Sequence, residues 1–161
     1  MKKGQKHKVK NMKILIGLED KKQRDEIVSV LSRTFTVVTA FDSEEAYERI
    51  HHIDPDLAIL DYTLSKINPI NLYDGIAFIH SNVHMVICVT SENLEVARRV
   101  WSRRAIDFIL KPIQTDRFVH DVLKITRYLV DKAELEAVRE QVETLQQEID
   151  SLKQKLKKTK S

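Results

Sequence analysis

Five short apolar runs alternate with segments of helical spacing between residues 13 and 130, and this alternation limits the fold more than any other feature. The apolar runs are KILIGL at 13–18, TFTVVTA at 34–40, DLAIL at 56–60, MVICVT at 85–90 and DFIL at 107–110. The segments with helical spacing are 21–33, 43–52, 75–81, 93–104 and 115 onward. Strands and helices in this order predict βα units, and hence a doubly wound, five-stranded parallel sheet with helices on both faces.

The rarest residue types exclude several classes of protein. The only glycines are Gly4, Gly17 and Gly75, and their separation excludes dinucleotide-binding and P-loop fingerprints. The only cysteine, Cys88, cannot form an internal disulfide, which indicates a reducing compartment. The chain contains no apolar stretch of membrane-spanning length and no signal-peptide core. We therefore expect a cytoplasmic protein that makes no membrane contact.

Lysine is concentrated at both ends of the chain. Five lysines lie within residues 1–10 and five within 153–160, and neither stretch contains an acidic residue. Ten of the 27 basic residues are thus in the ends, so the middle of the chain carries more acidic than basic residues although the net charge is +3. The ends are expected to be solvated tails, with residues 1–11 as a basic extension, and nucleic acid is an unlikely partner.

The last helical segment continues beyond the region that a single domain needs. From residue 135 its apolar residues are spaced alternately three and four apart, and no glycine or proline interrupts them. This apolar seam consists of Leu135, Val138, Val142, Leu145, Ile149, Leu152 and Leu156. The pattern predicts a domain over residues 12–130 and a coiled-coil dimerisation helix with a basic tail over 131–161. An amphipathic helix folded back on its own domain is the alternative.

Polar residues follow the predicted strands at one edge of the sheet. In an open parallel sheet, ligands bind beyond the carboxyl ends of the strands. Those positions are occupied by Glu19 and Asp20 after the first strand, Asp61 after the third, Thr90 after the fourth and Lys111 after the fifth. Carboxylates, a hydroxyl and an ammonium suit a hard cation with oxygen ligands, together with a phosphoryl group.

These motifs resemble the receiver domain of two-component response regulators over roughly residues 12–130. The resemblance is carried by DLAILDYTL around Asp61, by CVTS at Thr90, and by AIDFILKPI, in which Lys111 precedes Pro112. It implies the doubly wound, flavodoxin-like fold. It also implies a response regulator of phosphorelay signalling, which is not an enzyme beyond its own magnesium-dependent phosphorylation.

The resemblance implies a role for each of these residues. Asp61 would accept a phosphoryl group from the phosphohistidine of a sensor histidine kinase or from a small phosphodonor. Mg²⁺ would lie between Glu19, Asp61 and the backbone carbonyl of Thr63. Thr90 and Lys111 would each contact a phosphoryl oxygen, and Phe108 stands at the aromatic switch position, whose ring turns inward as Thr90 moves.

Two features depart from the family pattern. Receivers usually have two adjacent acids after the first strand, whereas alignment of Arg24 places Leu18 in the first acidic position and Glu19 in the second. This register predicts weakened Mg²⁺ binding, and an alternative register pairs Glu19 with Asp20. The other departure is an insertion, SKINPI at 65–70, at the mouth of the site. It could act as a lid or fix a partner, or it is a tolerated surface loop.

Three functions remain open at this stage. The first is a phosphorylation-controlled switch whose output passes through a parallel homodimeric coiled coil. The second is a pseudo-receiver, a constitutive dimeric adaptor with a decayed metal site, which Leu18 favours and Asp61, Thr90 and Lys111 oppose. The third is a regulatory fragment of a longer chain that carries an output domain.

Overall fold

The computed structural model describes residues 12–64, 69–79, 83–95, 98 and 105–159. The strands are β1 (Lys13–Gly17), β2 (Thr36–Ala40), β3 (Leu57–Asp61), β4 (His84–Val89) and β5 (Ala105–Leu110). The helices are α1 (Lys21–Leu31), α2 (Ser43–Ile53), α3 (Pro69–Ile79) and α4 (Thr115–Thr159), and a 3₁₀ turn spans Ser91–Asn93.

All five strands pair in parallel, in the order β2-β1-β3-β4-β5. The predicted doubly wound, five-stranded parallel sheet is therefore confirmed. The chain moves outward in one direction from β1 to β2 and in the other direction from β3 onward. The switch point thus lies between β1 and β3, and in open α/β sheets the crevice beyond the strand ends at this point is where ligands bind.

The core explains why the strands are apolar on both faces. All five residues of β3 are buried. On one face, Leu15, Ala58 and Ile87 cluster with Ile50 of α2 and Ile76 of α3. The residues that alternate with them point to the opposite face of the sheet. Helices α1 and α4 contribute their own buried apolar residues, Ile27, Leu31, Phe118 and Val122.

Helix α3 differs from its predicted bounds of 75–81. It begins at Pro69, a residue that suits the first turn of a helix because its missing N–H has no intrahelical partner there. The last two residues of the SKINPI insertion, Pro69 and Ile70, are therefore helical, so part of the insertion lengthens α3. Residues 65–68 of the insertion lie outside the described residues, as does most of the predicted helix 93–104.

Two acidic caps set the starts of α1 and α2. Asp20 accepts a hydrogen bond from Gln23 N at 3.0 Å, and Asp42 accepts one from Glu45 N at 2.9 Å. The side chain of Glu45 reaches back to accept from Phe41 N at 2.8 Å, one residue before the cap. Each cap satisfies a backbone donor that the first turn of a helix leaves without a partner. Both caps stand at the carboxyl edge of the sheet, where they fix the loops around the site.

The described chain divides into two compact units, one that ends at Thr126 and one that starts at Arg127. In the second unit, Leu129 and Val130 are the last buried apolar residues of α4. Every residue of the apolar seam is between 47% and 60% exposed. No helix within the described ranges is long and apolar enough to span a membrane.

Candidate functional site at the carboxyl edge of the sheet

Asp61 is the last residue of β3, and its side chain is almost fully buried, with 2% of its surface exposed. Both of its carboxylate oxygens have partners. Oδ2 accepts a hydrogen bond from Lys111 Nζ at 2.7 Å, and Oδ1 accepts one from Thr63 N at 3.2 Å. The backbone N of Glu19 lies 3.5 Å from Oδ2. A buried carboxylate with several donors is fixed in one orientation, as a nucleophile at a strand end needs to be.

Lys111 reaches Asp61 from the end of β5. Its backbone N donates to Val89 O at 2.8 Å, which extends the pairing of β4 and β5 by one residue. The Lys111 side chain pairs with Asp61 and is still 23% exposed to solvent. A strongly hydrated ammonium with three donors can therefore bind Asp61 and an additional anionic group at the same time.

The oxygen-bearing side chains of Glu19, Asp61 and Thr63 converge at the end of β3. The hydroxyl of Thr63 lies 2.6 Å from Glu19 Oε2 and 3.0 Å from Asp61 Oδ1. Two carboxylates and a hydroxyl supply oxygen ligands of the kind that Mg²⁺ prefers. These residues therefore fit the Mg²⁺ ion that the family resemblance implies. Among the described residues, no group of three His, Cys, Asp or Glu side chains could hold a metal.

The structure places Leu18, Glu19 and Asp20 in three different environments. Leu18 is fully buried, Glu19 contacts Thr63, and Asp20 caps α1. Glu19, which belongs to the site in both registers, thus contacts Thr63 beside Asp61, whereas Asp20, which belongs to it only in the alternative register, caps α1. The backbone carbonyl of Leu18 accepts a hydrogen bond from the buried Arg24, which ties the turn after β1 to helix α1.

Thr90 directly follows β4, and Phe108 lies within the neighbouring strand β5. Thr90 is half-buried, and its hydroxyl accepts a hydrogen bond from Asn93 Nδ2 at 3.2 Å. Phe108 of β5 is half-buried and packs against the core cluster that includes Val89. Between Met85 and Val86 the pairing of β4 with β5 shifts register, ahead of the pair formed by Ile87 and Phe108.

Sequence reasoning used Arg24 only as an alignment anchor, without predicting its burial, and missed Asn93. Arg24 is 3% exposed, its guanidinium stacks on the ring of Phe41 at 4.5 Å, and its Nε has no hydrogen-bond partner among the described residues. Arg24 shares the helical spacing of the buried Ile27 and Leu31, but an arginine is usually solvated, so its residue type gave no sign of burial. Asn93 could have been noticed only from its position three residues after Thr90, where a 3₁₀ turn brings the two side chains together.

Two buried groups that can lose a proton, Tyr73 and Cys88, interact electrostatically with Asp61. The hydroxyl of Tyr73 donates to Val86 O at 3.3 Å, and Cys88 pairs in register with Asp61. Burial raises the pKa of Tyr73 well above its ordinary value, and Cys88 and Asp61 raise it further. Burial also raises the pKa of Cys88 far above its ordinary value, with a further rise from Asp61 and an opposing effect from Lys111. Both groups therefore remain protonated at neutral pH.

The sequence matches known proteins over the region that contains this site. The family model of the response regulator receiver domain matches residues 14–123. The chemotaxis protein CheY of Thermotoga maritima is 27% identical over 88 residues, which are 55% of this chain and 73% of that protein. Hybrid signal transduction histidine kinase D of Dictyostelium discoideum is 23% identical over 122 residues, which are 73% of this chain and 8% of that protein.

The solved structures give the same result. The crystal structure of NtrX from Brucella abortus superposes with a TM-score of 0.72 and 28% identity, and covers 80% of this chain and 29% of NtrX. The receiver domain of NtrX alone superposes with a TM-score of 0.63 and 30% identity, and covers 71% of this chain and 98% of that domain. This chain therefore spans less than a third of NtrX and less than a tenth of the hybrid kinase.

Proposed function

Because this chain belongs to the response regulator receiver domain family of two-component signalling, we propose that Asp61 accepts a phosphoryl group and that α4 passes the resulting state to a second copy of the chain. The observation that carries this proposal is the environment of Asp61. It is buried at the end of β3, its Oδ2 lies 2.7 Å from Lys111 Nζ, and its Oδ1 lies beside Thr63 and Glu19.

The chemistry is a phosphoryl transfer to a carboxylate. A carboxylate oxygen of Asp61 forms the new bond to phosphorus, and the bond from phosphorus to the imidazole nitrogen of a kinase phosphohistidine breaks with its electron pair on nitrogen. Lys111 offers a fixed ammonium to the transferred oxygens. Glu19, Asp61 and the backbone carbonyl of Thr63 would hold Mg²⁺, which supplies positive charge to the phosphoryl oxygens when bound.

Thr90 and Phe108 would convert the new charge into a conformational change. The hydroxyl of Thr90 accepts from Asn93, so its own proton is available to donate to a phosphoryl oxygen. If Thr90 moves toward Asp61, space opens beside Val89, and the half-buried ring of Phe108 can turn into it. A phosphoryl group adds about −1.5 to −2 charge and three acceptor oxygens, which is enough to bias such a two-state element.

The output would be a parallel coiled-coil homodimer. The apolar seam is exposed over its whole length, and a second copy would cover it. With Leu135 at position a, β-branched Val142 and Ile149 occupy central a positions and Leu145 and Leu152 the adjacent d positions, which favours a parallel pair. The charges agree, because Glu134 would face Arg139 of the partner helix and Glu148 would face Lys153 of the partner helix.

The pseudo-receiver remains the second candidate because of Leu18. A buried leucine stands where an acid would help to hold the ion. In that case the chain would be a dimeric adaptor that works without phosphorylation. A third arrangement, in which this chain is the regulatory part of a longer protein with an output domain, agrees with the small share of NtrX that it spans.

Labelling with acetyl phosphate at millimolar Mg²⁺, followed by intact mass, separates the first two candidates. We expect one added phosphoryl group in the wild type and none in Asp61→Asn, which keeps the shape of the side chain and removes its nucleophile. Asp42→Asn, an acid-to-amide change at a helix cap near the site, should label as the wild type does. A wild type without label under both acetyl phosphate and a phosphorylated kinase would establish the pseudo-receiver instead.

A further inference from the structure

The hydroxyl of Thr63 lies between two carboxylates. Its Oγ1 is 2.6 Å from Glu19 Oε2 and 3.0 Å from Asp61 Oδ1. A hydroxyl has one proton and can donate to only one of these oxygens at a time. The shorter contact has the length of a charge-assisted O–H···O⁻ bond, which indicates that Glu19 receives the proton.

Glu19 depends on this bond for its position. The Glu19 side chain is exposed, and among the described residues its carboxylate accepts its hydrogen bond from Thr63 Oγ1. An exposed glutamate has many rotamers available, and fixing one of them has an entropic cost. By contrast, Asp61 is held by Lys111 and by the backbone of Thr63 whether or not the hydroxyl is present.

The two carboxylates also repel each other. Both contact the same Oγ1 atom, so the distance between Oε2 and Oδ1 cannot exceed the sum of the two contacts. Without a donor at Thr63, this repulsion would favour the rotamers of Glu19 that point into solvent. Among the described residues, the site brings together only these two carboxylates, since position 18 is a buried leucine and Asp20 caps α1.

We propose that Thr63 is a positioning residue whose side-chain hydroxyl holds the Glu19 carboxylate against Asp61 and thereby preserves divalent-cation binding at a site that Leu18 leaves one carboxylate short. This role is additional to the backbone carbonyl of Thr63 and rests on the proposed function of the site. It predicts that loss of the hydroxyl weakens cation binding and that a serine, which keeps the hydroxyl, restores it.

The test is the affinity of the full, unphosphorylated chain for Mn²⁺, measured by electron paramagnetic resonance, and for Mg²⁺, measured by calorimetry. We expect Thr63→Val to weaken binding about tenfold, the effect of losing one charge-assisted hydrogen bond. Thr63→Ser should stay within about twofold of the wild type, since its hydroxyl can donate to Glu19 in the same way. Thr144→Val, the same change on the exposed part of α4, should have no effect.

A second comparison distinguishes positioning from a general structural effect. If Thr63 acts through Glu19, then Thr63→Val should have no further effect in a Glu19→Ala background, because the group that it positions is absent. A full tenfold loss in that background, or wild-type affinity in Thr63→Val, would overturn the inference. A wild type that accepts no phosphoryl group would overturn the proposed function, while the cation affinities still decide the role of Thr63.

Discussion

At the scale of single residues, we predict that Leu18 weakens the cation site because it stands where a second carboxylate would help to hold the ion. Replacing Leu18 by aspartate adds a carboxylate next to Glu19, so we expect Mg²⁺ to bind several-fold more tightly. Because Leu18 is fully buried, the same change should lower the melting temperature. Calorimetric titration and thermal unfolding measure the two effects, with Leu18→Asn as the uncharged control.

The same titrations test the register of the turn after β1. Asp20 caps α1 through Gln23 N, so Asp20→Asn should leave the Mg²⁺ affinity of the site unchanged. If Asp20→Asn weakens the affinity and Leu18→Asp does not strengthen it, then Asp20 rather than position 18 belongs to the site.

The raised pKa values of Cys88 and Tyr73 predict that the fold loses stability at alkaline pH. Burial raises the pKa of both groups in the folded state, so the folded chain keeps two protons that the unfolded chain releases above about pH 9 to 10. Their contribution to stability is complete below the unfolded pKa values and is lost as pH rises. Each group should lower the free energy of unfolding by up to about 1.4 kcal/mol per pH unit there.

Urea unfolding at pH 8 and pH 10.5 measures this loss. Tyr73→Phe and Cys88→Ala should each reduce it, because each variant removes one of the two titrating groups. If the free energy of unfolding depends on pH equally in the wild type and in a chain with both substitutions, then other groups cause the loss of stability at alkaline pH.

At the scale of elements, two glycines occupy opposite packing situations. A Cβ on Gly17 would lie 2.7 Å from Leu64 Cδ1 and 2.9 Å from Leu60 Cδ2, whereas among the described residues a Cβ on Gly75 would meet only Tyr47 Cε2, at 3.6 Å. Gly17→Ala should therefore destabilise the fold by about 1–3 kcal/mol through overpacking at the end of β1. Gly75→Ala should stabilise it by up to about 1 kcal/mol, because alanine is the better residue within a helix.

Denaturant unfolding of the two variants under identical conditions provides the comparison. The same substitution is made in each case, so opposite signs of the change in the free energy of unfolding report the difference between the two local environments. A Gly17→Ala chain as stable as the wild type would mean that Leu60 and Leu64 move aside at little cost.

The elements also show what the sequence could predict. The strands were predictable because both faces of a central parallel strand are buried, so β3 is an uninterrupted apolar run from Leu57 to Leu60 before Asp61. The start of α3 was missed because Pro69 lies within the insertion and proline is typical of loops as well as of first helical turns. In the site, strand ends identified Asp61 and Lys111, whereas the hydroxyl bridge of Thr63 depends on side-chain geometry that no spacing encodes.

At the scale of the whole molecule, the exposed apolar seam is the largest feature that the receiver fold does not explain. Three heptads are marginal as an isolated coiled coil, so we expect a dimer that dissociates in the micromolar range. Loss of the seam should therefore leave a folded monomer, which sedimentation equilibrium of a chain ending at Asp131 can show.

The direction of the helices is tested by cross-linking in a Cys88→Ala background, so that one introduced cysteine is the only thiol. Leu152 occupies a d position, and a parallel pair places residue 152 of one chain opposite residue 152 of the other. Leu152→Cys should therefore form a disulfide-linked dimer under mild oxidation, and Gln154→Cys, on the outer side of the same helix, should not.

In an antiparallel pair, residue 152 would face the Leu135 end of the partner helix. Dimerisation in sedimentation without cross-linking at residue 152 would thus reverse the direction, and a full chain that is monomeric at tens of micromolar would remove the coiled coil from the mechanism.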